Sequence, residues 1–357
     1  MPAPRQPILS TTPNPKPCQS QNNGCADILT FPQSHIPCED FTFTLTAGTP
    51  LDYGLLPVDI PVKARLTGPA GTPVILTLGG ISASRIVCDH LEEDQTGWWQ
   101  EIAGANTPLD PTQFQILSFD FLPGETPVDP VTLKLTPGDQ AQVAARLCQH
   151  LGIAKLHALV GASYGGMVGL HVAQRYPHLL ERLIIVGASY KPHPMGTAWR
   201  SIQRKILQFG LDTGETDRAL SLARELGMTT YRTAEEFTHR FSATLPEPVE
   251  HTRPQLPVET YLESRGEAFL GRMSPQRYLV LSESIDLHQV DPTQINVPTA
   301  LITCRQDQLI PVEDVRHLRD TLANVTHYHE FDSLYGHDAF LKETHIIAQQ
   351  LQMALNI

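Results

Sequence analysis

Gly161-Ala162-Ser163-Tyr164-Gly165 sets a serine between glycines, where the apolar run Leu156-His157-Ala158-Leu159-Val160 gives way to a helical pattern starting Gly166-Met167-Val168-Gly169-Leu170. A G-x-S-x-G run at a strand-to-helix turn is the setting of a nucleophilic serine. So sharp a turn leaves the serine backbone strained and needs flanks almost free of side chains, which Gly161, Gly165 and Gly166 supply. The hydroxyl then faces the free N–H groups of a helix N-terminus, which favour developing negative charge. The chemistry implied is acyl transfer through a serine ester. Without strand and helix on either side, the same letters would be an ordinary glycine-rich turn.

A serine hydroxyl is a poor nucleophile at neutral pH and needs a base oriented by an acid. In folds with this elbow the partners follow in the order serine, acid, histidine, on loops after later strands. Asp307 lies in the loop after the apolar run Ala300 to Thr303, and His337 in the loop after the strand around His327 to Phe331. The competitors fit less well. His345 falls inside the last helix, and His327 and His329 belong to a strand; Asp286 closes a helical insertion, Asp332 precedes the histidine loop, and Asp338 points away from its neighbour His337. The expected triad is Ser163, Asp307 and His337. The oxyanion formed during attack needs two backbone N–H groups. One is that of Tyr164; the other comes from the loop Gly79-Gly80-Ile81-Ser82, with Ile81 the expected donor and Gly80 the alternative.

The elements that position these residues are short apolar runs ending in turn residues. Val74 to Leu78, Gln115 to Phe121, Leu156 to Val160, Leu183 to Val186 and Ala300 to Thr303 suit strands of a parallel sheet covered on both faces. Phe41 to Leu45 alternates as a half-buried strand, and Lys63 to Leu66 reads as a second. Helices are expected from Asp139 to Leu151, from Ser163 to the Tyr176-Pro177 stop, after Pro311, and as one last helix after His337. The alternation predicts an α/β class, a doubly wound, mostly parallel sheet with right-handed crossovers. Residues 1–38, rich in Pro, Gln, Asn and Ser, read as an irregular leader; 39–190 and 297–357 form the core; and 191–296, with no convincing strand, is an inserted helical cap over the active site.

Composition bounds the partners. Twenty-six basic against 38 acidic residues give a net charge of −12, which argues against nucleic acid. No stretch approaches a membrane span and Met1-Pro2-Ala3-Pro4-Arg5-Gln6 has no signal pattern, so a cytoplasmic protein is expected. Cys18, Cys25, Cys38, Cys88, Cys148 and Cys304 show no metal-ligand spacing and are read as free thiols, a Cys18–Cys25 disulfide requiring export; no metal is expected.

Four further segments resemble a known family. Tyr335-Gly336-His337-Asp338-Ala339-Phe340-Leu341 closely resembles the histidine motif of the homoserine O-acyltransferases, members of the α/β-hydrolase superfamily. Gly97-Trp98-Trp99 with Ile102-Ala103-Gly104 and Pro108-Leu109-Asp110, the cap stretch Thr230-Tyr231-Arg232-Thr233 before Glu235 and Phe237, and Val258-Glu259-Thr260-Tyr261-Leu262 resemble other segments of that family. Departures exist. Tyr164 stands where the family commonly has methionine, Asp120-Phe121-Leu122-Pro123-Gly124 replaces a glycine-rich segment, and Gly80-Ile81-Ser82-Ala83-Ser84-Arg85 is looser than usual, as in a shorter, divergent branch.

The resemblance implies an α/β-hydrolase fold with a helical cap and an acyltransferase that moves an acyl group from acyl-CoA, its co-substrate, to L-homoserine in methionine biosynthesis. It implies no bound cofactor and a homodimer through the cap. It assigns the homoserine carboxylate to Arg232 and the ammonium to Asp338, roles that guanidinium and carboxylate chemistry suit. Without the resemblance they read as a cap surface residue and a helix N-terminal charge. A succinyl donor needs a cation for its distal carboxylate; Arg85, close behind the oxyanion loop, is the candidate and favours succinyl-CoA over acetyl-CoA. Lys191, His193, Arg200, Arg204 and Lys205 read as a solvated cap helix, with CoA phosphates as their other use. Transfer to serine, or simple ester hydrolysis on the same fold, are the alternative activities.

Overall fold

The computed structural model describes residues 36–89, 96–241 and 254–356. The leader thus lies outside the described residues except for its end, where Cys38 already opens the first strand; Cys18 and Cys25 lie outside as well. One eight-stranded sheet forms the core. In chain order its strands are β1 (Cys38–Leu45), β4 (Ile60–Thr67), β5 (Val74–Leu78), β6 (Gln115–Phe119), β7 (Ala158–Ala162), β8 (Leu183–Val186), β9 (Thr299–Cys304) and β10 (Val325–Phe331), and a small hairpin pairs β2 (Pro50–Leu51) with β3 (Gly54–Leu55). Across the sheet the order is β1-β4-β6-β5-β7-β8-β9-β10. Pairings β1–β4 and β4–β6 are antiparallel and all others parallel.

Burial follows the sequence pattern. Every residue of β7, β8 and β9 is buried, as two-sided coverage of a parallel sheet requires, while β1 alternates at the edge. The core helices are α1 (Pro137–His150), α2 (Tyr164–Arg175), α8 (Val312–Thr321), α9 (Ala339–Lys342) and α10 (Thr344–Leu355). The single last helix expected after His337 is broken at Glu343, whose φ of −89° and ψ of 52° are not helical. Apolar periodicity runs across the break, so the sequence shows the face but not the kink.

Between β8 and β9 the described residues form five α-helices and no strand: α3 (Pro194–Thr213), α4 (Thr216–Tyr231), α5 (Ala234–Arg240), α6 (Pro257–Glu267) and α7 (Pro275–Asp286). Helix α3 packs along α4, α4 on α6, and α3 on α7. The cap is tied to the core beside the loops after β9 and β10. Thr233 donates from Oγ1 to the Leu334 carbonyl at 2.6 Å, and Gln308 Nε2 to the Arg232 carbonyl at 3.2 Å. Gly336, at φ +55°, fits this seam, since a Cβ there would come 3.0 Å from the Tyr231 carbonyl oxygen.

Candidate active site

The turn between β7 and α2 is built by exclusion. A Cβ on Gly161 would sit 2.4 Å from the Gly165 carbonyl oxygen, and one on Gly165 would sit 2.2 Å from that of Leu78. Ser163 adopts φ 53° and ψ −119°, the strained geometry expected of it. It is the N-cap of α2, yet its side chain does not cap that helix. The hydroxyl instead meets His337 Nε2 at 2.8 Å. A serine that normally would satisfy a helix N–H is thereby turned over to an imidazole.

His337 Nδ1 contacts Asp307 Oδ2 at 2.6 Å, and Asp307 Oδ1 accepts the backbone N–H groups of Leu309 and Ile310 at 2.8 and 3.0 Å. The acid is therefore fixed by its own loop and fixes the ring in turn. Burial works against charging His337, but the charge and hydrogen bond of Asp307, aided by Asp338, prevail and hold its pKa above the ordinary value. The other acid candidates are engaged elsewhere. Asp286 binds Arg200 at 2.6 Å and Arg204 at 2.7 Å, and exposed Asp332 faces Arg305 and Gln306.

The oxyanion loop interlocks with the Gly97-Trp98-Trp99 segment. A Cβ on Gly79 would lie 2.8 Å from the Trp98 ring and 2.7 Å from Ala83 Cβ, so the ring presses directly on the turn. The Gly165 N–H is taken by the Gly79 carbonyl at 2.8 Å. The N–H groups of Tyr164, Ile81 and Gly80 have no protein acceptor among the described residues, and all three residues line the cavity in front of Ser163. The Tyr164 side chain turns the other way. It is wholly buried, edge-on to Phe121, and its hydroxyl meets Ser284 Oγ of α7 at 2.6 Å.

The cavity has a volume of about 410 Å³, with Ser163 and His337 on its core side and cap residues, Arg224 and Tyr278 among them, opposite. Asp338 also lines it. Arg232 lies a layer behind, its Nε 3.0 Å from Asp338 Oδ2 but not aligned for a hydrogen bond, its Nη1 3.0 Å from Glu236. Glu236 is buried and also receives Arg240, a role that Glu235 and Phe237 beside it gave no hint of. Burial raises the Asp338 pKa despite the nearby Arg232 and His337 charges.

Arg85 must be corrected. It does not line the cavity; its guanidinium binds Asp120 at 3.0 Å and Asp40 at 3.2 Å, and its backbone N–H also donates to Asp120. Closeness in sequence to the oxyanion loop did not show that two carboxylates already claim it. Arg224, with no carboxylate partner among the described residues, stands in the cavity wall instead, over the rings of Phe269 and Tyr231. Its helical context carries no motif that could have singled it out. Arg200 and Arg204 are likewise tied to Asp286 rather than solvated. Among the described residues no cluster of His, Cys, Asp or Glu could hold a metal, and no helix is long and apolar enough to cross a membrane.

Residues 98–344 match the α/β-hydrolase fold family. The chain is 37% identical over 297 residues to a homoserine O-succinyltransferase of Xanthomonas campestris pv. campestris, covering 83% of this chain and 79% of that protein. A homoserine O-acetyltransferase of Thermus thermophilus is 32% identical, covering 72% of each. The chain belongs to the homoserine O-acyltransferase family. It is thus an enzyme of the acyltransferase class on an α/β-hydrolase fold. The crystal structure of a homoserine O-acetyltransferase from Bacillus anthracis superposes with a TM-score of 0.78 over 90% of this chain and 98% of that one; at 20% identity that likeness speaks for the fold.

Proposed function

We propose that this enzyme moves an acyl group from acyl-CoA to the hydroxyl of L-homoserine through an acyl-serine, supplying methionine biosynthesis in the cytoplasm. The observation that carries the reading is the continuous hydrogen-bonded chain Ser163–His337–Asp307 opening into a cavity whose wall also bears Asp338, beside Arg232. His337 takes the Ser163 proton as Oγ attacks the thioester carbonyl, and the N–H groups of Tyr164 and of Ile81 receive the oxyanion. The C–S bond breaks and the thiolate leaves with the proton from His337. The acceptor hydroxyl then gives its proton to His337 and attacks the acyl-serine; Ser163 regains a proton as the new ester departs. Asp307 holds the tautomer and the charged ring throughout. Ping-pong kinetics follow.

Arg232 and Asp338 suit a zwitterion. Their ion pair lacks hydrogen-bond alignment, so an amino acid that brings its carboxylate to Arg232 and its ammonium to Asp338 replaces one imperfect pair with two. Glu236 keeps Arg232 in place during the exchange. A succinyl donor is favoured by the name of the Xanthomonas relative and by Arg224, a wall cation without a carboxylate. The enzyme is taken as a homodimer through the cap, where Met195, Ile202 and Phe209, spaced a heptad apart on α3, are 51%, 48% and 70% exposed. A monomer in sedimentation would overturn that contact.

The deciding assay offers L-homoserine and L-serine with succinyl-, acetyl- and propionyl-CoA and follows thiol release. Release that depends on L-homoserine and is fastest with succinyl-CoA is expected. Release without an acceptor would make the enzyme a hydrolase, and faster turnover with acetyl-CoA would remove the succinyl preference.

A further inference from the structure

The cavity in front of Ser163 holds a polar group that neither the triad nor the amino-acid pair Arg232 and Asp338 employs. Gln203 of α3 is 3% exposed and forms part of the cavity wall. Its Oε1 accepts the hydroxyl of Tyr278 on α7 at 2.8 Å. Tyr278 is itself buried, and burial raises its pKa, so the phenol keeps the proton it donates. This bond decides which end of the amide is free. The oxygen is held against the cap, while Nε2 has no acceptor among the described residues and is not sealed off from the cavity. An amide nitrogen carries two donors and no acceptor, so only a ligand with a lone pair can satisfy it.

A second donor stands beside it. A Cβ on Gly227 of α4 would lie 3.6 Å from Gln203 Nε2 and 3.4 Å from the Tyr231 hydroxyl, so the two groups border one spot. Tyr231 also lines the cavity, and its hydroxyl has no partner among the described residues. The Tyr231 ring centre is 6.2 Å from that of His337, and the Arg224 guanidinium lies over the same ring, 5.3 Å from its centre. The donors are thus set back from the reacting carbonyl by one aromatic side chain, where the remote end of an acyl group lies. A buried donor left unpaired is costly, and a site built around one rejects a ligand that brings no acceptor. Acetyl and propionyl groups end in a methyl; a succinyl group ends in a carboxylate. Arg224 supplies charge for that carboxylate, and the amide supplies direction. We infer that Gln203 selects a dicarboxylic acyl group, its Nε2 and the Tyr231 hydroxyl donating to the distal carboxylate, and that Tyr278 is the positioning residue that aims the amide. The inference rests on acyl-CoA being the donor and names the residue that reads the far end of its acyl group.

The test compares succinyl-CoA with butyryl-CoA, whose chain is as long and carries no carboxylate. Wild type favours succinyl-CoA in kcat/KM by about tenfold to a hundredfold, the worth of a hydrogen bond to a charged group. Gln203→Glu keeps the acceptor for Tyr278 but sets a carboxylate against the distal carboxylate, and it removes this preference. Gln203→Met/Tyr278→Phe deletes both polar partners at similar volume, so it folds even where a single variant does not, and it too brings the ratio close to one. Tyr278→Phe leaves the amide in place but unaimed, and the ratio falls about fivefold. A parallel loss for both thioesters would make Gln203 a packing residue and overturn the proposal, as would a wild type that does not distinguish the two. Thiol release that needs no L-homoserine defeats the acyltransferase reading instead and leaves the donor ratio legible. Should wild type turn over neither thioester, isothermal titration of Ser163→Ala decides the site: succinyl-CoA must bind more tightly than butyryl-CoA, and Gln203→Glu must abolish the difference.

Discussion

Ser163, Asp307 and His337 sit in turns and loops that follow strands of the sheet, whereas Arg224, Arg232 and Arg200 belong to helices of the cap or their ends. The first set is held by backbone. Ser163 is fixed by a turn no side chain but its own can enter, and Asp307 by two N–H groups of its own loop. The second set is held by side chains holding side chains: Asp286 between Arg200 and Arg204, Glu236 between Arg232 and Arg240. Backbone restraint survives the loss of a neighbouring side chain; ion-pair restraint does not. The difference predicts that core substitutions remove chemistry and spare the fold, while cap substitutions loosen the fold or an affinity and spare chemistry.

The largest effect belongs to the core. Asp307→Asn keeps an oxygen for the Leu309 and Ile310 amides but cannot hold the imidazole in its working tautomer, so turnover falls about 10⁴-fold with an unchanged melting temperature. The pH profile sharpens the assignment. His337 must be neutral to accept the serine proton, so kcat/KM for the donor rises with pH through a midpoint above the ordinary 6.5. Near-normal rates in Asp307→Asn, or a midpoint below 6.5 in wild type, would break the triad.

In the cap, Asp286→Ala strands two arginines, one of them buried, and costs about 3–5 kcal/mol, with partial exposure of Arg204 pulling toward the lower figure. Urea denaturation measures the loss. Hydrogen exchange localises it, with α3 and α7 losing protection before β7 and β8. Uniform loss across the chain would show that cap and core unfold as one unit, and the comparison would fail.

This contrast also explains what the sequence could and could not reveal. The strands before Ser163 and Asp307 are short apolar runs ending in turns, while the strand before His337 is polar and half-buried, and His337 is placed by the loop between it and the last helices. The Asp286 ion pairs in the cap join it to Arg204 and Arg200, 82 and 86 positions away, and no local pattern encodes them. Arg85 was misread for the same reason: its partners are 35 and 45 residues away. The G-W-W segment was visible only as a resemblance, and its mechanical role, pressing on Gly79, appears once the chain is folded. Glu236 lay within a recognised stretch and was still missed, because its burial depends on where α5 docks.

Glu236 yields a smaller and more selective prediction. Glu236→Gln removes the charge that steadies Arg232, so KM for L-homoserine rises about tenfold while the rate of acylation by the donor stays as in wild type. Burst kinetics without acceptor separate the two half-reactions. A slowed burst would place Glu236 in the core's chemistry rather than in acceptor binding.

The smallest effect tests the one point where the two regions touch inside the elbow. The Tyr164 hydroxyl reaches Ser284 on α7, and Ser284 is completely buried. Tyr164→Phe removes that bond and leaves the serine hydroxyl without its partner, a cost of about 1–3 kcal/mol. The backbone N–H of Tyr164 is untouched, so kcat changes by less than about twofold. Adding Ser284→Ala removes the orphaned hydroxyl, and the double variant recovers part of the stability lost by the single one, a coupling a double-mutant cycle reads directly. A larger fall in kcat for Tyr164→Phe would mean that the cap helps to hold the nucleophile turn itself, and that backbone restraint in the core is less self-sufficient than the glycine packing around Ser163 implies.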